Sequence, residues 1–206
     1  MTPEEFVRNG PNNPEDLIGK AKMVARVFCS KVRSGGKSPI RLLLYGPPGV
    51  GKSATCKIIA HSMIDHPVSL RRMSAKQVTT EQVRSWMQEI HYINNKWQVY
   101  WIEEIDAVTP DVEVLLLQFL DLLPDNNAVL VTSNEQMSGI SSRFQSRCQA
   151  IRFDKPSIEE VEEFLRIRWP ELGEEAREIA EANNGDVRAS LNDAQGELDM
   201  RKYGKQ

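Results

Sequence analysis

Apolar residues in this chain fall into short continuous runs, and between the runs they recur every three or four positions. RLLLY (41–45), VSLRRM (68–73), QVYWI (98–102), AVLVTS (128–133) and a short AIRF (150–153) each read as a strand. Between them lie helical patterns. SATCKIIAHSMI (53–64) spaces Ala54, Ile58 and Ile59 as a helix does, and TEQVRSWMQEIHYI (80–93) sets Val83, Met87 and Ile90 on one face. DVEVLLLQFLDLL (111–123), opened by Pro110, carries Val112, Leu115, Leu116, Phe119 and Leu123 at helical spacing. Strands that alternate with helices predict an α/β fold with a five-stranded parallel sheet covered by helices on both faces. Beyond Pro156 the pattern changes to helices alone, about 157–168, 173–183 and 186–201, punctuated by Pro170, Gly173 and Gly185. The expected organisation is a main domain over 1–154 and a small helical domain over 155–206, hinged near 154–157. Upstream of the first strand one helix is predicted, about 18–33, ending at Ser34-Gly35-Gly36.

Composition narrows the picture. A chain of 206 residues with 40% apolar and 27% charged residues has the profile of an ordinary globular protein. Its net charge of −3 offers no global basic field for nucleic acid, so any such contact must be a local patch. Cys29, Cys56 and Cys148 are far apart and odd in number, without zinc-finger spacing, and a reducing, cytoplasm-like compartment is the simplest reading. His61, His66 and His91 form no metal-ligand pattern. The longest apolar cluster, VLLLQFLDLL (114–123), is too short for a bilayer, so no membrane partner is expected. The acidic, Pro/Asn-rich start does not read as a signal sequence.

Candidate chemistry begins at GPPGVGKS, that is Gly46, Pro47, Pro48, Gly49, Val50, Gly51, Lys52 and Ser53, which fits G-x-x-x-x-G-K-[ST] between a buried strand and a helix. The glycines let backbone N–H groups turn inward around phosphate oxygens, and the helix beginning at Gly51-Lys52, with Ala54 among its nucleotide-binding residues, adds its unsatisfied amides. Lys52 would reach the β- and γ-phosphates of ATP, and Ser53 would offer a hydroxyl to Mg²⁺. VYWIEEID (99–106) ends a strand on two carboxylates. Glu103 is the candidate acid on the metal side, and Glu104 the candidate that orients or deprotonates the attacking water. P-loop ATPases normally carry Asp at the first of these positions. Glu103 is one methylene longer, which moves its carboxylate by roughly 1.5 Å. Misplacement on that scale costs on the order of a hundredfold in rate, so slow hydrolysis is expected.

With these motifs, the chain resembles the AAA+ ATPases, and among them the subunits of sliding-clamp loaders. EDLIG (15–19) resembles the segment whose apolar residues, here Leu17 and Ile18, pack near the adenine. TSN (132–134) ends the fourth strand on Asn134, similar to the family's sensor-1 residue. SRC (146–148) resembles the clamp-loader arginine-finger motif, which implies that Arg147 serves a nucleotide held by the neighbouring subunit, with Arg143 as its competitor. GDVRASLN (185–192) resembles sensor 2, with Arg188 reaching the phosphates. The resemblance implies a P-loop AAA+ domain with a helical lid, ATP and Mg²⁺ as cofactors, and neighbouring AAA+ subunits, a sliding clamp and primer-template DNA as partners, in the cytoplasm or a nucleus. Lys76 and Arg84 are candidate DNA contacts. The four-cysteine zinc module of the bacterial motor subunits is missing, so the sequence is more similar to archaeal, eukaryotic or phage small subunits. A C-terminal collar domain is also implied, yet the sequence stops at Gln206, which leaves a shortened chain or assembly without a collar. Two alternatives stay open. One is another AAA+ ring ATPase, such as a helicase loader or branch-migration motor. The other is a nucleotide-binding scaffold with little hydrolysis.

Overall fold

A computed structural model describes residues 3–90, 96–136 and 140–204. Five strands form one parallel sheet: β1 (Ile40–Tyr45), β2 (Leu70–Ser74), β3 (Gln98–Glu103), β4 (Asn127–Ser133) and β5 (Gln149–Arg152), in the order β2-β3-β4-β1-β5. The helices are α1 (Pro3–Asn9), α2 (Gly19–Arg33), α3 (Lys52–Met63), α4 (Thr80–Glu89), α5 (Pro110–Leu122), α6 (Ser142–Gln145), α7 (Ile158–Arg168), α8 (Glu175–Ala182) and α9 (Val187–Tyr203). The predicted α/β sheet and its helices are therefore present. None of the described helices is long and apolar enough to cross a membrane.

Two compact units make up the chain. One comprises Val27–Gly46 and Cys56–Arg152 and contains the sheet. β4 lies at its centre with all seven residues buried, which is why it reads as an unbroken apolar run rather than an alternating one. On one sheet face Leu43, Tyr100, Ile102, Val129 and Val131 pack with Trp86 of α4 and Leu116 and Phe119 of α5. Tyr100 and Phe119 meet edge to face, with ring centroids 4.9 Å apart, and Trp86 lies 5.2 Å from Tyr100. Such pairs add about 0.5–1.5 kcal/mol beyond their buried area.

The other unit gathers Met1–Arg26, Pro47–Thr55 and Phe153–Gln206. Its core is built from Phe6, Val161, Leu165, Trp169, Leu172, Ala176, Ile179, Ala180 and Ala194. Phe6 sits edge-on to Trp169 at 5.9 Å, and the Arg168 guanidinium lies 4.4 Å from the Phe6 ring centroid while pairing with Asp16.

Three expectations need correction. A second helix, α1, precedes the predicted one. Its seven residues are too few to show a period, and it is held by Phe6, only 2% exposed. The second strand begins at Leu70 rather than Val68, because Pro67–Ser69 form a 3-10 turn capped by His66. The helix predicted to 93 is described to Glu89, with its C-cap at Ile90; residues 91–93, including His91, lie outside the described residues.

Candidate functional site

The phosphate loop follows β1. Its turn is made by Gly46 (φ 132°), Gly49 (φ 80°) and Gly51 (φ 90°), a backbone that side chains rarely adopt. Gly49 is required twice over, since a Cβ there would lie 2.2 Å from Oδ1 of Asp186. Lys52 opens α3 and is buried, and its ammonium donates to the carbonyl of Pro47 at 2.5 Å. Ser53 and Ala54 are partly buried in the first turn of α3, Val50 is buried and Pro48 is exposed. Thr55, fully buried, donates from Oγ1 to the Gly51 carbonyl at 2.9 Å and fastens that turn.

In the same unit, Asp186 caps α9 by accepting from the N–H of Ala189 at 3.0 Å. Arg188, one residue into α9, is exposed. It pairs with neither nearby acid: Asp186 is engaged by the helix N-terminus, and Asp193 accepts from Asn183 at 2.7 Å. Leu17 and Ile18 both line a cavity of about 260 Å³, together with Phe164, Ile167 and Arg168 of α7. Glu15 stands at its edge. The Arg26 guanidinium, and after it the Lys22 ammonium, hold its carboxyl down to about 2.

The acidic pair belongs to the sheet unit. Glu103, the last residue of β3, accepts from Arg72 of β2 through both oxygens, from Nε at 3.0 Å and from Nη2 at 3.2 Å. Glu104 leaves the strand in the left-handed region (φ 59°, ψ 54°), is exposed, and donates its N–H to Thr132 Oγ1 at 3.3 Å. A non-glycine residue held there costs of order 1–3 kcal/mol and marks sites where the surrounding structure dictates the conformation. Here the 3-10 turn Ile105–Ala107 and a clasp to β4 do so: Ser133 Oγ donates to Asp106 at 2.7 Å and accepts from the N–H of Glu135 at 3.0 Å. Asp106 is thus used to tie the two strand ends together. Asn134 follows β4 and is exposed.

Arg147, after α6, is held by its own chain. Nε donates to both oxygens of Asp121, at 2.9 and 3.0 Å, and Nη1 donates to the carbonyl of Arg143 at 3.0 Å. Asp121 is in the last turn of α5, where a carboxylate opposes the helix dipole, and the guanidinium offsets that charge. Arg143 is exposed. Burial pushes the Cys148 thiol up to about 12, away from the thiolate form. Lys76 lies exposed in the 3-10 turn Ala75–Gln77, and Arg84 is exposed on α4.

The sequence reasoning did not anticipate Arg72, Asp121, Thr132 or the seat of Asp186 on Gly49. The sequence signals none of these. β2 is the edge strand, with Arg72 exposed on it, and only the register that sets Arg72 beside Trp101 and Ser74 beside Glu103 brings that acid within reach.

Comparison with known proteins bears on this arrangement. The family model "ATPase family associated with various cellular activities (AAA)" matches residues 42–155, from β1 through the acidic pair and Arg147. The chain belongs to the AAA family. A putative replication factor C small subunit of Acanthamoeba polyphaga mimivirus is 27% identical over 169 residues, covering 76% of this chain and 52% of that protein. Replication factor C small subunit 2 of Pyrobaculum arsenaticum is 25% identical over 201 residues, covering 91% of this chain and 61% of its own length. The chain thus spans between half and two thirds of these relatives. Among solved structures, the Thermotoga maritima RuvB Holliday junction branch migration motor superposes with a TM-score of 0.74 at 22% identity, covering 97% of this chain and 68% of that one. This is a likeness of fold.

Each of the two candidate Mg²⁺ donors is taken by itself. Ser53 and Glu103 offer hard oxygen ligands, and no group of three or more His, Cys, Asp or Glu among the described residues forms a cage. Mg²⁺ is usually held in this way, by one or two protein oxygens and the substrate phosphates.

Proposed function

We propose that this AAA chain is an ATP-binding and hydrolysing subunit of a sliding-clamp-loader-like complex acting in DNA replication. The observation that carries the reading is the match along 91% of the chain to a replication factor C small subunit, on a chain that also has SRC at 146–148. In this reading 1–154 is the nucleotide-binding domain and 155–206 its lid. The nest from Gly46 to Ala54 receives the triphosphate, and Lys52 exchanges the Pro47 carbonyl for phosphate oxygens. Leu17 and Ile18 face the adenine, and Arg188, unpaired with its neighbouring acids, turns toward the phosphates. Bound Mg²⁺ supplies charge neutralisation on the β- and γ-phosphates. Glu104 takes the proton of the attacking water and Asn134 orients it.

Arg147 then serves the next subunit's nucleotide, and its partners here bear on that role. An exposed ion pair such as Arg147–Asp121 is worth about 0–1 kcal/mol, whereas an arginine finger contributes roughly 10³–10⁵ in rate. The guanidinium therefore leaves Asp121 for phosphate at little cost. Lys76 and Arg84 are the proposed contacts to DNA phosphates, which position the duplex without reading its sequence.

ATP turnover measured with and without a sliding clamp and primed DNA tests the proposal. Stimulation by both, abolished in Lys52→Ala, is the expected result. Turnover indifferent to clamp and DNA but coupled to strand separation or branch movement would assign the chain to another ring motor. Tight ATP binding with no turnover under any condition would leave a scaffold.

A further inference from the structure

The contact that the proposed function does not explain is the one between Arg72 and Glu103. Both carboxylate oxygens are occupied by one guanidinium, at 3.0 and 3.2 Å, in the fork-to-fork geometry that gives arginine its directional preference. The same guanidinium lies over Trp101, 4.1 Å from its ring centroid. Arg72 stands beside Trp101 in the register of the outermost strand, so its side chain runs along the sheet face to the end of β3. Each residue also accounts for the other. An aspartate at 103 would withdraw its oxygens by roughly 1.5 Å, out of reach of the fork. The extra methylene that is awkward for the metal role is what reaches the arginine.

We propose that Arg72 is a displaceable lock on the metal-side carboxylate. The inference rests on the assignment of Glu103 to Mg²⁺ and names how that site is regulated. A guanidinium that bridges both oxygens fills the bidentate face of the carboxylate and repels an arriving divalent ion, so the ion competes with Arg72 for Glu103. The pair is open to solvent, with side chains 52% and 24% exposed, so the withdrawal is reversible. The stack on Trp101 keeps the displaced guanidinium beside the site, ready to return when the metal leaves. Arg72 is thus a positioning residue that acts through Glu103, and loading of the divalent ion becomes a step separate from nucleotide binding.

The test follows Mn²⁺ binding by electron paramagnetic resonance in the presence of ADP, for the wild type, Arg72→Gln, Glu103→Asp and the double variant. Binding of a fluorescent ATP analogue in EDTA is measured in parallel. Arg72→Gln is expected to tighten Mn²⁺ binding about fivefold, the scale of an exposed ion pair, without changing nucleotide affinity in EDTA. Glu103→Asp should bring the same gain, and the double variant no more. Unchanged or weaker Mn²⁺ binding in a folded Arg72→Gln that still binds nucleotide overturns the lock and leaves the ATPase reading standing. Should Arg72→Gln fail to fold, Glu103→Asp alone decides, and an unchanged Mn²⁺ affinity there overturns the proposal. A wild-type chain that binds no nucleotide under either condition overturns the ATPase reading and the lock with it.

Discussion

At Gly49 two constraints meet that a side chain could not satisfy together, a φ of 80° and the Asp186 carboxylate against the α-carbon. Gly35 has the same φ of 80° with nothing within 4 Å of the Cβ position. The two glycines therefore separate backbone strain from contact. Gly35→Ala is expected to lose about 1–2 kcal/mol of stability, the cost of the left-handed conformation alone. Gly49→Ala should lose more than Gly35→Ala and should also weaken ATP binding, because the Asp186 cap of α9 must move. Denaturant unfolding and nucleotide titration of the two variants check this, and equal losses with normal ATP affinity would show that the Asp186 contact carries nothing. Gly49 is legible in the sequence as part of a loop pattern. Its pairing with Asp186 is not, since 137 positions separate them and neither residue changes character to announce it. The strain at Glu104 is equally silent in sequence: a carboxylate after an apolar run reads as a simple strand exit, and only the strand-end clasp through Thr132 and Ser133 holds it in the left-handed region.

Helix starts and strand starts show where local chemistry is sufficient. Ser157 opens α7 with a capping box: its Oγ accepts from the Glu160 N–H at 3.1 Å, and Glu160 accepts from the Ser157 N–H at 2.9 Å. Ser157→Ala is expected to cost about 1 kcal/mol, read as a shifted denaturation midpoint with an unchanged slope. No shift would mean that the burial of Val161 and Leu165 alone fixes the start of α7. This S-x-x-E signal lies at the edge of the predicted helix, and helix and structure agree there to one residue. Where local chemistry is thin, the agreement stops. α1 is too short to show a period, and its anchor Phe6 declares itself only when Trp169 is known to face it. At β2 the apolar Val68 pulls the predicted strand two residues early, although Pro67 and the His66 cap hold a 3-10 turn in which Val68 remains 75% exposed.

At the scale of the whole molecule, the proposed active centre is shared between chains. Mixing tests it. An Arg147→Ala chain should bind ATP normally yet fail to activate a wild-type neighbour, lowering turnover of the mixed assembly by roughly 10³-fold or more at the affected centres. Full activity of a pure Arg147→Ala assembly would transfer the role to Arg143 or remove it. By itself the sequence determined the order and type of the five strands and most of the helices, the phosphate loop, and the acidic pair at a strand end. All of these are written in neighbouring residues through hydrophobic period, capping chemistry and glycine placement. Tertiary structure alone decided the strand order, the seat of Asp186 on the loop, the tether of Arg147 to Asp121 and the hold of Arg72 on Glu103. Each of these joins side chains far apart in sequence, and which cation meets which acid depends on the register and packing of the elements that carry them.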